Sequence, residues 1–417
     1  MPLSLPCRYP APWRLMGLAL GLGLLLAGGP VQASSLTLEQ ALAQALRDNP
    51  DYLAARQETA AAAGARQQAG LLPNPELAFE VEDTRSASQT RSLTLTQPFE
   101  LGGKRAARVA VAEANAGVVN ADLEARRYAL RADVIQSFYE LLLAAEGVRL
   151  AEQSQALAQR SLDSSGAQIR AGKISPVSGT RAEVEQVTQR LELRRALQQR
   201  DNARVSLARQ LGVSVTELGE PVGDLDRLPA PPGEALLLQA IRQTPAMLKA
   251  RQQVAAGDAD VDLQRSQRYP DVRVSLGSQY DELEGERVNL VGFSLPLPLF
   301  DRNQGNLLAA SSRADQARDL QRATELQIQA ETLQALRDWR SASADVDDLR
   351  NRVLPAGQRT VDDLTRGFSL GRFAQLDVLE AQRALIAARG QYLLSQRAQI
   401  NAWARLERLH GPLFTSP

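Results

Sequence analysis

The sequence predicts a mainly α-helical chain that also carries four membrane-spanning β-strands and consists of two internal repeats. Long stretches without proline are rich in Ala, Leu, Gln, Arg and Glu, which are strong helix formers. Four short segments instead alternate apolar and polar residues, as strands do when one face meets lipid and the other meets water. The same order of elements occurs twice along the chain, and this repetition predicts two related halves.

The N-terminal segment has the pattern of a secretory signal. Arg8 and Arg14 precede an apolar run of about 12 residues over 15–26, and Ala33 follows as a small residue at a cleavage position. The run is short for a membrane helix, which needs about 20 residues. We therefore expect cleavage of residues 1–33 rather than a membrane anchor.

Composition excludes several classes of function. The only cysteine is Cys7, which precedes the apolar run and leaves with the signal. The processed chain is then expected to have no thiol, no disulfide, no cysteine metal site and no N-terminal lipid. Lys+Arg and Asp+Glu both number 48, and loss of the two signal arginines leaves a net charge of about −2, which argues against nucleic acid as a partner.

The sequence predicts no enzyme, no cofactor and no metal site. It has no glycine-rich phosphate loop after a strand, no Gly-x-Ser-x-Gly elbow and no cluster of His, Cys and Asp. The single histidine, His410, precedes Gly411 and Pro412. We interpret it as a cation at a helix C-terminus rather than as a ligand.

The two halves are related by a nearly constant offset. Residues 49–57 resemble residues 244–252 at an offset of 195, and Pro75 falls on Pro270 at the same offset. Further on the offset becomes 199, and Gly172 falls on Gly371. The predicted domains are a first repeat over 34–220, a linker over 221–233 that contains several prolines, and a second repeat over 234–417.

Each repeat is predicted to contain two long helices. A helix from about 103 to 170 would be about 100 Å long at 1.5 Å per residue, so it must pack beside other long helices. Apolar residues near the C-terminus recur every seven positions, as in a coiled coil, although an ordinary helical bundle stays open as an alternative. The predicted long helices cover about 103–170, 177–211, 304–370 and 376–410.

The predicted strands come in pairs, at about 75–83 and 91–98 and at about 271–280 and 288–296. Leu77, for example, begins a run in which apolar and polar residues alternate. Each segment has about the length of a transmembrane strand. Four strands cannot close a barrel, because the smallest outer-membrane barrels have eight. At least two copies of the chain must therefore pool their strands.

The chain as a whole resembles a known family of membrane proteins. The layout of two halves, with two strand pairs and four long helical stretches, resembles the TolC-like outer-membrane factors of tripartite efflux pumps. The run QPFELGGKR at 97–105, with its counterpart at 295–305, resembles the CzcC-type branch associated with heavy-metal efflux. The resemblance covers essentially the whole processed chain.

The resemblance implies a homotrimer in the outer membrane of a Gram-negative bacterium. Twelve pooled strands would form one barrel, and twelve long helical stretches would form a tunnel into the periplasm. It also implies two partners, which are a periplasmic adaptor and an inner-membrane pump of the resistance-nodulation-division type. The chain would then be a passive duct.

The breaks between paired helices are where the family is expected to contact its adaptor. Glycine ends helices by taking a left-handed conformation, and Gly172 and Gly371 lie in these breaks. The resemblance assigns adaptor contact to both glycines and to the adjacent Lys173 and Arg372. The simpler interpretation is that the glycines only form the turns, and both interpretations can hold together.

Two acidic residues follow the second break. Asp377 and Glu380 are three positions apart on one helical face. The resemblance assigns them to rings of carboxylates that narrow the tunnel entrance and favour cations. A solvated helix face, or a pair between Glu380 and Arg383, is the alternative.

The chain departs from its relatives at the entrance. Some relatives close the tunnel with an ionic lock, but the matching positions here are Ser178, Phe368 and Phe373. We therefore predict an apolar gate formed by Phe368 and Phe373.

The substrate stays open between metal cations and organic compounds, because a duct has no deep binding pocket. A soluble periplasmic coiled-coil scaffold is the rival from another class. It would explain the signal and the helices, but it would not need four alternating segments.

Overall fold

The computed structural model describes residues 35–83, 85 and 88–412. The predicted secretory signal, residues 1–33, lies outside the described residues. The chain from Ser35 onward forms one compact unit.

The first two helices of the described chain have capped N-termini. Thr37 Oγ1 accepts a hydrogen bond from the backbone N–H of Gln40 at 3.3 Å, and Asn49 Oδ1 accepts one from the N–H of Tyr52 at 2.9 Å. Such caps satisfy N–H groups that have no partner inside the helix. The elements in order are β1 (Ser35–Leu36), α1 (Leu38–Asp48), α2 (Pro50–Ala69), β2 (Glu76–Glu82), β3 (Thr90–Phe99), α3 (Lys104–Arg170), α4 (Pro176–Leu211) and β4 (Glu220–Pro221).

The second half repeats this order of hairpin and long helices. A 3₁₀ turn (Ile241–Gln243) separates its first two helices, and a π-helical segment (Leu349–Val353) interrupts a long one. The elements are α5 (Glu234–Ala240), α6 (Pro245–Ser266), β5 (Val272–Asp281), β6 (Glu286–Ser294), α7 (Gln304–Asp348), α8 (Leu354–Ser369) and α9 (Gln375–His410).

The predicted stretch 304–370 is therefore not one uniform helix. The π-helical segment ends two residues before Pro355, which lies in the first turn of α8. Proline has no N–H to donate and its ring clashes with the carbonyl four residues earlier, so a wider turn before it relieves the conflict.

Four strands form one antiparallel sheet in the order β2-β3-β5-β6. One row across it joins Leu77, Leu95, Leu276 and Val291, and these side chains are between 46% and 78% exposed. The neighbouring row, on the opposite face, begins with Glu76 and continues with Thr96, Ser275 and Gly292. The sheet thus has an uncovered apolar face and a polar face, as the alternation predicts.

The hydrophobic core lies where the long helices pack together. Its largest fully buried side chains include Phe138 from α3, Leu207 from α4, Trp339 from α7 and Leu406 from α9. Burying side chains of this size contributes about 1.5–3 kcal/mol each. No helix within the described ranges has both the length and the apolarity to cross a membrane.

Candidate functional site at the two helical turns

The first turn joins α3 to α4 through Gly172. This glycine has a left-handed φ of 69°, and its N–H donates to the carbonyl of Ile169 at 2.9 Å. The N–H of Lys173 donates to the carbonyl of Gln168 at the same distance. These bonds satisfy carbonyl groups that the end of the helix leaves free, which is the usual role of a glycine cap.

The second turn, between α8 and α9, has the same construction. Gly371 has a φ of 72°, and its N–H donates to the carbonyl of Phe368 at 2.9 Å. The N–H of Arg372 donates to the carbonyl of Gly367 at 2.9 Å. The repeat seen in the sequence therefore extends to the individual hydrogen bonds of the two turns.

Two cationic side chains occupy equivalent positions in these turns. Lys173 and Arg372 are both exposed, and neither forms a side-chain hydrogen bond or ion pair with another described residue. Each follows the C-terminal end of a long helix, where the helix dipole favours positive charge. The turns thus present one accessible cation each.

Asp377 and Glu380 occupy different environments, although they are three positions apart. The backbone N–H of Ala374 donates to Asp377 Oδ2 at 2.9 Å, so this carboxylate caps the start of α9. Glu380 is exposed, and within the described part of the chain it forms no ion pair with Arg383. Of the two predicted constriction residues, Asp377 therefore also has a structural role, whereas Glu380 is accessible.

Phe368 and Phe373, the predicted gate residues, are each nearly half exposed in the single chain. The ring of Phe373 lies so close to Gly367 that a Cβ added to this glycine would be 2.2 Å from a ring carbon. Gly367 is buried. The absence of a side chain at 367 is therefore what allows Phe373 to lie against α8.

A hydrogen bond connects the helices of the two turns. Ser164 Oγ donates to Gln375 Oε1 at 2.8 Å, which ties the end of α3 to the start of α9. The structure therefore connects the last turns of α3 to the start of α9, although the two residues are more than 200 positions apart in the sequence.

Sequence reasoning missed the anchoring of the linker at Asp226. Tyr392 on α9 donates its hydroxyl to this carboxylate, and Gln396 Nε2 donates to the carbonyl of Leu225 at 2.9 Å. Arg350 adds a hydrogen bond to the carbonyl of Asp226, also at 2.9 Å. Burial, and then the bond to Asp226, raise the pKa of Tyr392. No sequence pattern identifies this contact, because its partners are more than 120 residues apart.

The interpretation of His410 as a helix-end cation is wrong. Burial lowers the pKa of His410 to about 4, so the imidazole is uncharged at neutral pH. Its Nε2 lies 2.9 Å from the hydroxyl of Thr332, which is fully buried. The loss of hydration at this packed helix end outweighs the attraction of the helix dipole for a positive charge.

Among the residues that the structure describes, no group of three or more His, Cys, Asp and Glu could hold a metal ion.

Paired long helices closed by glycine turns, together with a sheet that has one uncovered apolar face, define a class of membrane channel protein. The family model for outer membrane efflux proteins matches residues 41–213 and 236–412, and the chain belongs to this family. This assignment confirms the family resemblance inferred from the layout of the two halves.

Two relatives carry names of metal-resistance proteins. The chain is 38% identical over 379 residues to the cobalt-zinc-cadmium resistance protein CzcC of Cupriavidus metallidurans, and the aligned region covers 91% of each chain. It is 30% identical over 310 residues to the nickel-cobalt-cadmium resistance protein NccC of Alcaligenes xylosoxydans, which covers 71% of this chain and 69% of that one. The match to the CzcC-type branch is thereby also confirmed.

Solved structures agree on the fold. The CmeC outer membrane channel of Campylobacter jejuni superposes with a TM-score of 0.74 at 16% identity, over 90% of this chain and 85% of that one. The mainly helical architecture with a few strands is therefore shared with outer-membrane channels.

Proposed function

We propose that this protein is the outer-membrane channel of a three-part efflux system that exports heavy-metal cations as a passive duct. The observation that carries the channel assignment is the contrast between the two faces of the sheet, one with exposed leucines and the other polar. The metal substrate is supported by the relatives named for cobalt, zinc, cadmium and nickel resistance.

The working unit is a homotrimer. The sheet of one chain has four strands, and its edge strands β2 and β6 each have a strand partner on one side only among the described residues. Unpaired edge groups are costly in lipid, where water cannot satisfy them. Three copies would pool twelve strands into one barrel, and their long helices would form a tunnel through the periplasm.

The proposed processing and layout follow from the sequence. Residues 1–33 are removed on secretion, without N-terminal lipid attachment because the only cysteine is Cys7. The repeats over 34–220 and 234–417, joined by the linker 221–233, then form the channel subunit in the outer membrane.

The two turns are the proposed contact with a periplasmic adaptor, which links the channel to an inner-membrane pump of the resistance-nodulation-division type. Gly172 and Gly371 shape the turns, and Lys173 and Arg372 supply accessible cations beside exposed apolar residues. An adaptor with acidic and apolar groups at its tip would suit this surface.

We also propose that the second turn controls the tunnel entrance. Glu380, together with the part of the Asp377 carboxylate that does not cap α9, would form rings of negative charge in a trimer that favour cations. Phe368 and Phe373 would close the entrance by apolar packing, since both rings remain accessible.

Deletion of the gene tests the substrate. Growth of the deleted strain would be measured with Zn, Co, Ni, Cd, Cu and several antibiotics, with a plasmid copy of the gene as the control. We expect a loss of metal tolerance that the plasmid restores. A loss of antibiotic tolerance with metal tolerance intact would overturn the metal assignment and favour an organic-compound pump.

Charge reversal tests the adaptor contact. The double variant Lys173→Glu/Arg372→Glu should lose co-purification with the adaptor while it still assembles in the membrane. Arg160→Glu/Arg359→Glu is a matched control, because these exposed arginines are also 199 positions apart and lie about 20 Å from the turns at 1.5 Å per residue. Equal adaptor binding by both double variants would contradict the assignment.

A further inference from the structure

The segment that follows β6 forms no strand with any described residue, although it continues the alternating pattern. Leu295, Leu297 and Leu299 are all exposed, and they alternate with two prolines. At the opposite edge of the sheet, the apolar residues of β2 are also exposed and β2 has β3 as its one strand partner within the described ranges. Exposed apolar residues therefore lie at both edges of the sheet.

The internal repeat relates the strands of the two halves position by position. The first strands and the helices before them are 195 positions apart, as Pro50 and Pro245 show at the starts of α2 and α6. The second strands are 200 positions apart. Helices α3 and α7 start 200 positions apart, and each is preceded by a left-handed residue, Gly103 at φ 74° and Asn303 at φ 57°.

The two hairpins provide an independent check of these offsets. In the first hairpin Ala78 pairs with Thr94. Advancing the first residue by 195 and the second by 200 gives Arg273 and Ser294, which are paired in the second hairpin. The same two offsets therefore describe both the sequence and the sheet.

The junction between the halves is the pairing of β3 with β5. In it Phe99 pairs with Val272, Gln97 with Val274 and Leu95 with Leu276. If the repeats form a closed ring, the second half of one copy meets the first half of the next copy. The strands at that junction should then pair in the same register as β3 and β5 do within one chain. To obtain the equivalent pairs, 200 is added to the number of each β3 residue and 195 is subtracted from that of each β5 residue. The three observed pairs then become Leu299 with Leu77, Leu297 with Phe79 and Leu295 with Val81.

We propose that residues 295–299 are a strand segment that is completed by β2 of a second copy of this chain, in that register. All three derived pairs join apolar residues on one face, which continues the exposed apolar face of the sheet. This inference rests on the proposed function, because it requires that copies share one sheet. It adds the residues and the register of the contact.

The prolines are compatible with this pairing. Proline cannot donate a ladder hydrogen bond, yet Pro98 already lies in β3 opposite Arg273. Pro298 is its equivalent and would lie opposite Ala78. In the single chain the N–H of Leu299 donates to the carbonyl of Leu297 at 2.9 Å, and strand pairing would compete with this local bond.

The inference also accounts for the position at which β6 ends. The sequence predicts a strand to about 296, whereas β6 ends at Ser294. The residues beyond Ser294 retain the alternation but have no partner in one chain. A strand is defined by its hydrogen bonds to a neighbour, so this part forms only when the neighbouring copy is present.

Disulfide cross-linking between copies tests the register. Phe79→Cys/Leu297→Cys and Val81→Cys/Leu295→Cys place cysteines at two derived pairs in a Cys7→Ser background. Within one chain β2 and β6 are three strand spacings apart, about 14 Å. Because a disulfide needs Cα atoms within about 7 Å, any cross-link must join two copies.

Phe79→Cys/Phe293→Cys is the displaced control. Its cysteines face the same side of the sheet but are four residues, or about 13 Å, out of the derived register. Oxidation of outer membranes followed by non-reducing electrophoresis should convert the two matched variants from monomers to dimers and trimers. The displaced variant and each single-cysteine variant should remain monomeric.

Two results would overturn the proposal. Cross-linking of the displaced pair in preference to the matched pairs would disprove the register but leave the shared sheet intact. Monomers for every pair, in cells that retain metal tolerance and carry the chain in the membrane fraction, would disprove the shared sheet itself. The metal assignment would survive both results, since growth assays test it separately.

Discussion

The middle of the helical bundle and its two turns consist of the same long helices, but they differ in what one chain buries. In the middle, Trp339 and Phe138 are both fully buried against helices of the same chain. At the turns Val177 and Leu370 are 61% and 63% exposed. A single chain therefore completes its core in the middle and leaves apolar surface uncovered at the turns.

The charged groups follow the same division. In the middle, Glu407 is fully buried, accepts from Arg131 Nε at 2.7 Å and from Trp403 Nε1 at 3.2 Å. At the turns, Lys173 and Arg372 are exposed and have no side-chain partner among the described residues. The middle therefore contributes most of the stability of the chain, whereas the turns leave charged and apolar groups accessible.

The largest predicted effect comes from the buried charge pair. Glu407→Ala leaves Arg131 without its carboxylate, and loss of one partner of a buried pair costs about 3–5 kcal/mol. The apparent melting temperature of the protein in detergent should fall accordingly. The control is Asp338→Ala, which removes an exposed pair with Arg405 at 3.0 Å and should cost at most about 1 kcal/mol. If both variants lowered the melting temperature equally, charge pairs in the middle would contribute no more to stability than charge pairs at the surface.

A smaller effect is predicted for acidification, again in the middle of the bundle. The pKa of His410 is about 4 in the folded chain and about 6.5 when unfolded. The unfolded chain then binds more protons between these values, so stability is full above pH 6.5 and falls towards pH 4, by about 1–3 kcal/mol.

Melting temperatures of the native chain and of His410→Gln, measured in detergent from pH 7 to pH 4, check this dependence. The His410→Gln variant should lose the part of the decline that the imidazole causes. Identical pH profiles for the two chains would show that His410 does not titrate in this range.

The smallest effect is predicted at the turns. Gly371→Ala forces a side chain into a left-handed conformation, which costs about 1–2 kcal/mol locally. Because little is buried there, hydrogen exchange should quicken at the second turn while the melting temperature changes little. Gly147→Ala is the matched control, since this helical glycine has open space around it. The alanine should stabilise the protein by up to about 1 kcal/mol, because it is the better helix former. A large fall in melting temperature for Gly371→Ala would show that the turns also support the core.

Prediction from sequence succeeded where the cause is local. Helix α4 starts at Pro176 and α3 ends two residues before Gly172, because proline and glycine act on the backbone at their own positions. The seven-residue repeat of apolar residues in α9, which begins at Leu379, predicted burial less accurately. Val378 and Leu385 are buried in α9, whereas Leu379 is only partly buried, because the neighbouring helices decide which side of the stripe is covered.

The repeat, the order of helices and hairpins, and the apolar side of each strand could be predicted from the sequence alone. These follow from periodicity and from residues that break helices, which act over a few positions. Three properties became visible only in the folded chain: His410 is uncharged, Asp226 anchors the linker and Asp377 caps a helix. Burial and hydrogen bonding set these properties, and they depend on atoms that the fold brings together from distant parts of the chain.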